Sequence, residues 1–185
     1  MSNDDAGPAA PLVVVMGVSG SGKTTIGALA AHEVEVPFLD ADSLHPLENV
    51  RKMAAGTPLE DADRWPWLDV VGGRLREAGD SGTGLVLACS ALKRRYRDRI
   101  RRQAPETVFV HLHGELDVLT ARLEGRSDHF MPATLLASQL DTLEPLGDDE
   151  RGGTVDVDQP VDALVAETVT ALKAFGTDGP ARAGR

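Results

Sequence analysis

Cysteine and aromatic residues are scarce in this sequence of 185 residues: Cys89 is the single cysteine, and aromatic residues make up 4%. One cysteine cannot form an intrachain disulfide or a zinc site built from cysteines. The longest apolar run, LVVVMGV, is far too short to span a bilayer as a helix. The first residues, MSNDDAGPAAP, lack the basic region and the apolar core of a signal peptide. These absences favour a reducing, cytoplasmic setting.

Basic residues are fewer than acidic ones: the sequence has 19 Lys and Arg and 29 Asp and Glu, which gives a net charge of −10. The phosphates of nucleic acid repel such a chain, which argues against nucleic acid as the main partner but does not exclude a local pocket for a small anion. Hydrophobic residues make up 42%, which is enough for a packed core. The length predicts one domain, at 12–175, between tails at 1–11 and 176–185 that are expected to be disordered.

Five short apolar runs alternate with helical patterns, at 12–16, 37–40, 84–90, 107–112 and 154–157. Three of the runs are continuously apolar, which suits strands that are buried on both faces. The alternation predicts an α/β fold with three layers, in which helices cover both faces of a five-stranded parallel sheet. Ligands of such sheets bind at the carboxyl ends of the strands. Four polar residues follow predicted strands: Asp40, Asp42, Ser90 and Asp158.

The segment GVSGSGKT, from Gly17 to Thr24, matches the phosphate-loop pattern G-x-x-x-x-G-K-[ST] without a mismatch and follows a strong strand. Its glycines let backbone N–H groups approach phosphate oxygens, and the next helix points its positive end at the same anion. Lys23 is predicted to reach the β- and γ-phosphates, and the Thr24 hydroxyl to bind Mg²⁺. Nucleotide contacts are expected from Gly17, Val18, Ser19, Gly20, Ser21, Gly22, Lys23, Thr24 and Thr25.

The loop predicts a nucleoside triphosphate but does not identify the group that receives the phosphate. A GTPase also needs a base-specific N-K-x-D segment, which the sequence lacks, and motor ATPases usually have longer chains. A small-molecule kinase is therefore favoured. The alternative from another class is a nucleotide-dependent binding or regulatory protein without acceptor chemistry.

Further segments resemble the gluconate kinases, a branch of the P-loop kinases akin to shikimate kinase. The specific ones are HPLENVRKM, PLEDADRWPWL and CSALKRRYRD, within a resemblance that covers roughly residues 12–173. The resemblance implies the P-loop kinase fold with a small helical lid at about 120–140. It also implies phosphorylation of D-gluconate to 6-phosphogluconate by ATP with Mg²⁺, in a cytoplasmic and commonly dimeric enzyme that feeds the pentose phosphate or Entner–Doudoroff route. Another small polyhydroxy acid, such as shikimate, is the second possible acceptor.

Asp40 and Asp42 lie at the end of the second predicted strand. The third strand ends in ACS, without an acid, so Asp40 is the candidate carboxylate that supports the metal, through water. By resemblance to shikimate kinase, Asp42 is expected to bind the acceptor hydroxyl, and whether it also takes the proton stays open. Capping of the next helix is the alternative for both residues.

By resemblance, His45, Lys52 and Arg64 are expected around the acceptor. Ser90 lies at the end of the third predicted strand, and Lys93 and Arg97 share a helical face just after it, so these three are also expected to contact an anionic substrate. An arginine fork would bind the gluconate carboxylate through two hydrogen bonds, and His45 could instead only order its loop. The run KRRYRDRIRR has seven basic residues in ten and by itself suggests a nucleic-acid patch. Helical spacing argues against this, because Leu92, Tyr96 and Ile100 fall on one apolar face and the arginines on others.

Two arginines match the lid of these kinases. Arg126 is expected to be catalytic by neutralising charge on the transferring phosphoryl group, and Arg122 to bind the nucleotide. An ordinary surface pair is the alternative for both. Gln159 and Pro160 are placed like the loop that cups the adenine in relatives, although helix capping by Asp158 explains that loop nearly as well.

Overall fold

The computed structural model describes residues 10–125 and 133–176. It contains one sheet of five parallel strands, in the spatial order second, third, first, fourth, fifth. The strands are β1 (Leu12–Met16), β2 (Phe38–Asp40), β3 (Leu85–Ala88), β4 (Val108–His113) and β5 (Gly152–Asp156). Each predicted run contains one of these strands or overlaps it, so the predicted parallel sheet is confirmed.

Seven helices connect and flank the described strands, together with a 3₁₀ turn over Ala41–Leu44. They are α1 (Lys23–Glu33), α2 (Leu47–Ala54), α3 (Asp61–Asp80), α4 (Arg94–Arg101), α5 (Leu116–Glu124), α6 (Ala133–Thr142) and α7 (Val161–Gly176). None of the helices in the described part of the chain is long and apolar enough to cross a membrane.

The two faces of β1 build two separate cores. Val13 and Val15 point into a cluster with side chains of α1 and α7, such as Ile26 and Leu164. Val14 and Met16 face the opposite cluster, which contains side chains of α3 and α4. Because successive side chains of a strand point to opposite faces, this central strand is buried on both sides. The predicted three-layer α/β/α architecture is thereby confirmed.

The beginning of α3 is fixed by a capping box. The Glu60 side chain accepts the N–H of Asp63, while the Asp63 side chain accepts the N–H of Glu60. One turn later, the buried Trp67 donates from Nε1 to the carbonyl oxygen of Ala41 over 2.8 Å. This bond holds α3 against the 3₁₀ turn that follows β2, so residues of both segments meet at the carboxyl edge of the sheet.

Most of the two predicted tails and the centre of the predicted lid, which includes Arg126, lie outside the described residues. The described flanks of the lid are helical: α5 ends at Glu124, and α6 begins at Ala133.

Candidate active site

The predicted phosphate loop connects β1 to α1, which begins at Lys23. Gly20 and Gly22 have φ angles of 83° and 95°, in the left-handed region that glycine favours. A β-carbon on Gly20 would lie 2.7 Å from Cγ of Leu123 in α5, so a larger residue there would clash. Strand, loop and helix follow in the order that the motif requires, and the first turn of α1 supplies N–H groups for an anion.

Thr24 and Asp40, the two residues predicted to serve a metal, are in contact. The Thr24 hydroxyl donates to Oδ2 of Asp40 over 2.7 Å. Oδ1 of the same carboxylate accepts the N–H of Asp42 at 3.0 Å and caps the 3₁₀ turn. Capping and metal support are therefore compatible at Asp40, because each carboxylate oxygen faces a different partner.

Asp42 takes part in that cap only through its backbone. Its side chain is exposed, and its carboxylate has no hydrogen-bond partner among residues 10–125 and 133–176. Capping thus does not account for the carboxylate of Asp42. The group remains accessible to a ligand at the carboxyl edge of the sheet.

The buried Cys89 thiol, just after β3, is within electrostatic reach of three charged residues. Burial raises the pKa of the Cys89 thiol to about 12, and the charges of Asp42, Lys23 and Arg64 act on the same thiol. Ser90, the next residue, is half-buried, and its carbonyl oxygen accepts the N–H of Gly17 at 3.3 Å. The phosphate loop and the proposed acceptor residues therefore meet around one strand end.

His45 is held in place by contacts on one face and one nitrogen of its ring. The imidazole stacks on Trp67, with the ring centroids 4.1 Å apart and an angle of 15° between the planes. Its Nδ1 lies 3.4 Å from Nδ2 of Asn49, which also donates to the Asp63 carbonyl. Burial lowers the pKa of His45, and the charge of Arg64 lowers it further against the opposing charge of Asp42. We therefore expect a neutral imidazole at pH 7 in a fixed orientation.

Lys93 is held by an acid that the sequence analysis did not assign to the site. Its ammonium lies 3.2 Å from Oδ1 of Asp61, which also accepts the Tyr96 hydroxyl at 2.5 Å, and Arg95 pairs with the other oxygen. The hydrogen bond from Tyr96, with the nearby cations, lowers the pKa of Asp61 despite its burial. Burial and this hydrogen bond raise the pKa of Tyr96 to about 12.

Arg64 lies beside this cluster without joining its ion pairs. The guanidinium carbon is 5.7 Å from the centre of the Tyr96 ring, and the side chain is half-buried. In the described part of the chain, no acidic residue forms an ion pair with it. Lys52, in contrast, is paired with Asp63 at 2.6 Å, and this hydrogen bond raises its pKa.

Arg97 does not face the site, and the predicted substrate contact is wrong for this structure. Its side chain is 0% exposed. All five of its N–H donors are used: two bind Glu150, and three bind the carbonyl oxygens of Ala91, Leu92 and Pro145. Arg97 therefore joins α4 to the loop before β5 and has no donor left for a ligand.

The remaining basic side chains of α4 are largely paired with acids. Their partners are Asp149 for Arg94, Asp61 for Arg95, Asp69 for Arg99, and Asp98 and Glu150 for Arg101. These ion pairs neutralise most of the run and agree with the inference against a nucleic-acid patch.

The predicted nucleotide residues outside the loop lie around the end of β5. Arg122 donates from Nη1 to the carbonyl oxygen of Val157 at 2.5 Å, and its Nη2 lies 3.8 Å from the position of a β-carbon on Gly22. Gln159 donates to Glu167 at 2.6 Å and to the Asp156 carbonyl at 2.8 Å.

The turn between β5 and α7 is closed by a carboxylate. Oδ1 of Asp156 accepts the N–H of Asp158 at 2.9 Å. The carbonyl oxygen of Pro160 accepts the N–H of Leu164 at 3.0 Å, in the first turn of α7. The placement of Gln159 and Pro160 near an adenine stays a prediction.

One further residue, which the sequence analysis left without a role, contacts the phosphate loop. Oε1 of Gln139 in α6 accepts the N–H of Ser19 over 2.7 Å. In the sequence, Gln139 belongs to SQLDTLEPL, a further segment that resembles the gluconate kinases, but this segment did not suggest a role for it.

The chain is similar to known proteins in both sequence and fold. A family model described as "Shikimate kinase" matches residues 19–145. The chain is 47% identical to "Probable gluconokinase" of Xenopus tropicalis, over 84% of this chain and 90% of that one. It is 41% identical to "Thermoresistant gluconokinase" of Escherichia coli K12, over 88% of this chain and 93% of that one. The crystal structure of a gluconokinase from Sinorhizobium meliloti 1021 is 46% identical, covers 92% of this chain and 95% of its own, and has a TM-score of 0.83.

Proposed function

This chain belongs to the gluconokinase family, and we propose that it transfers the γ-phosphoryl group of ATP to D-gluconate, giving 6-phospho-D-gluconate and ADP. Family membership follows from the 41–47% identity with gluconokinases over most of the chain. The observation that carries the proposal is the contact of Thr24 with Asp40, which joins the phosphate loop to the turn that presents Asp42. A nucleotide-binding protein without acceptor chemistry would also use a pair such as Thr24 and Asp40, but it would not need the exposed carboxylate of Asp42 beside it, which has no partner among the described residues.

The nucleotide side of the proposed site consists of the phosphate loop, Lys23 and the cations near it. Backbone N–H groups and the ammonium of Lys23 neutralise the phosphates and hold the γ-phosphoryl group in line with the acceptor. Arg122 and the loop with Gln159 and Pro160 support the rest of the nucleotide. The catalytic role of Arg126, which lies outside the described residues, is proposed from the family resemblance alone.

Mg²⁺ is part of this proposal, and the residues present fit it. A hydroxyl and a carboxylate, from Thr24 and Asp40, are the hard oxygen donors that Mg²⁺ prefers. The described residues contain no group of three or more His, Cys, Asp or Glu side chains that could hold a metal. This fits an ion that keeps several waters and also binds substrate phosphates. When bound, the ion would neutralise charge on the transferred group.

On the acceptor side, we propose that Asp42 receives the proton of the gluconate 6-hydroxyl as its oxygen bonds to the γ-phosphorus and the bond to ADP breaks. The exposed carboxylate, without a partner among the described residues, supports this role. His45, neutral and fixed by Trp67, would orient a hydroxyl of the sugar acid. Lys52 and Ser90 remain proposed contacts at the rim of the site.

Arg64 is the cation that we propose binds the gluconate carboxylate. Four basic residues were predicted around the acceptor, and three of them form ion pairs: Arg97 with the buried Glu150, Lys93 with Asp61, and Lys52 with Asp63. Arg64 has no such ion pair among the described residues, and its charge acts on both His45 and Cys89. Lys93 would add attraction at longer range.

A coupled assay of ADP formation tests the proposal. The purified protein is mixed with ATP and Mg²⁺ and given gluconate, shikimate or other sugar acids in turn. We expect rapid turnover with gluconate alone, and phosphorus NMR of the product should show a phosphate ester on the primary hydroxyl. An ADP release rate that is the same with and without gluconate would refute the proposal, and turnover with shikimate would favour the second acceptor.

We also propose a cytoplasmic homodimer, on the strength of the family resemblance. Light scattering on the purified full-length chain should give twice the 19.6 kDa mass of one chain. A mass of one chain at micromolar concentration would contradict the dimer and leave the proposed activity untouched.

A further inference from the structure

Helix α6 contacts the phosphate loop through the side chain of Gln139. Its Oε1 accepts the Ser19 N–H over 2.7 Å, between residues 120 positions apart in the chain. Ser19 lies within a loop whose N–H groups are the expected phosphate ligands. The carboxamide of Gln139 therefore lies at the margin of the phosphate cradle.

The neighbouring contact of Lys23 indicates which phosphate this margin faces. The Lys23 ammonium lies 3.0 Å from the carbonyl oxygen of Val18, the residue before Ser19. In a phosphate loop, this lysine reaches the β- and γ-phosphates. The part of the loop that Gln139 contacts is thus the part nearest the transferable end of the nucleotide.

The carboxamide has a second polar group in the same plane. Its Nε2 carries two N–H donors and lies about 2.3 Å from Oε1, as in any side-chain amide. With Oε1 held by Ser19, the donors of Nε2 stay next to the cradle. A phosphate oxygen accepts such donors, whereas the loop N–H groups do not.

Packing before and after Gln139 in the chain fixes α6 and therefore this side chain. Leu136, one turn earlier, is 0% exposed. Beyond the end of the helix, Glu144 donates its N–H to the Leu92 carbonyl at 2.8 Å and accepts the Arg94 N–H on Oε2. The side chain is thus held in place on a rigid element rather than on a free loop.

We infer that Gln139 is a positioning residue for the γ-phosphate of ATP, with Oε1 holding the loop at Ser19 and Nε2 donating to a γ-phosphate oxygen. This rests on the proposed use of ATP. Because ADP lacks the γ-phosphate, the contact favours ATP over ADP, and its loss changes the ratio of the two affinities.

Calorimetric titration of wild type and variants with ATP and with ADP, in the presence of Mg²⁺ and without gluconate, tests the inference. Gln139→Glu keeps an acceptor for Ser19 but replaces the Nε2 donors by negative charge. We expect its ATP Kd to rise about tenfold or more and its ADP Kd to rise less than about threefold. The matched control is Ser138→Glu, which adds the same charge at the exposed neighbouring position of α6 and should leave both constants unchanged.

Gln139→Met has nearly the same shape and no charge, so it removes the Nε2 donors without adding repulsion of the phosphate. It should also weaken the binding of ATP more than the binding of ADP. It decides the question if circular dichroism shows that Gln139→Glu is not folded. An equal loss of ATP and ADP affinity, or no loss of either, would overturn the inference. The titration needs no acceptor, so it remains informative even if gluconate proves not to be the substrate.

Discussion

The most direct test of how α4 is used is the substitution Arg97→Met. Removal of one partner from a buried ion pair costs about 3–5 kcal/mol, because the other charge stays buried. Here Glu150 would keep Arg101, which lies 2.7 Å from its Oε1, so we expect the lower end of that range. The carbonyl oxygens that Arg97 binds lose their donors at the same time. We therefore expect the free energy of unfolding to fall by about 3 kcal/mol.

Urea denaturation followed by circular dichroism measures this loss, which for a chain of this size corresponds to a Tm lower by about 6–12 °C. The KM for gluconate of the folded variant should stay within about twofold of the wild-type value. Arg99→Met is the matched control on the same helix. Its ion pair with Asp69 has side chains 36% and 41% exposed and should contribute less than about 1 kcal/mol.

Two results would refute this reasoning. If Arg97→Met were as stable as Arg99→Met, the buried network would not stabilise the fold. If Arg97→Met kept its stability but raised the KM for gluconate tenfold or more, Arg97 would be a substrate ligand after all, and the conformation with Glu150 would not be the one that binds substrate.

Three further predictions concern the acceptor side and pH. Asp42→Ala should lower kcat by about 100-fold or more, as expected for loss of a general base, while calorimetry shows unchanged ATP binding; a near-normal rate would contradict its role. Arg64→Met should raise the KM for gluconate by about tenfold or more with a smaller change in kcat, and an unchanged KM would show that another cation binds the carboxylate. Burial alone would raise the pKa of Glu150, but hydrogen bonds from Arg97, the Gly147 N–H and Arg101 lower it from 4.5 to about 2. A carboxyl group whose pKa is lower in the folded state stabilises the fold at pH values above its pKa in the unfolded chain. The free energy of unfolding should therefore fall as the pH is lowered from about 5 to 2, and it should fall less in Glu150→Gln.

Local patterns predicted the sheet and the phosphate loop because both are encoded in short segments. Continuous apolar runs indicate strands buried on both faces, and the glycine spacing around Lys23 requires a strand before it and a helix after it. The structure has both. The contact of Thr24 with Asp40 could also be predicted from the sequence, because β2 must end at the same edge of the sheet as β1.

The sequence could not show which basic residues are already engaged by acids. Arg97 shares a helical face with Lys93, and both follow a strand end, so both were predicted to meet the substrate. Their partners, Glu150 and Asp61, lie 53 and 32 positions away and reach α4 only through the tertiary fold. Helical periodicity tells which side chains share a face but not what packs against that face. Gln139 escaped notice for the same reason.

The divided carboxylate of Asp40 has a thermodynamic consequence. In the proposed site, one oxygen faces Thr24 on the nucleotide side, and the other accepts the backbone N–H of Asp42 on the acceptor side. We expect a group shared in this way to make the two binding equilibria interdependent. Linkage then requires reciprocity: the factor by which MgATP changes the affinity for gluconate must equal the factor by which gluconate changes the affinity for MgATP. The order in which the two ligands bind therefore cannot alter the total binding free energy, although it can alter the rate at which the ternary complex forms.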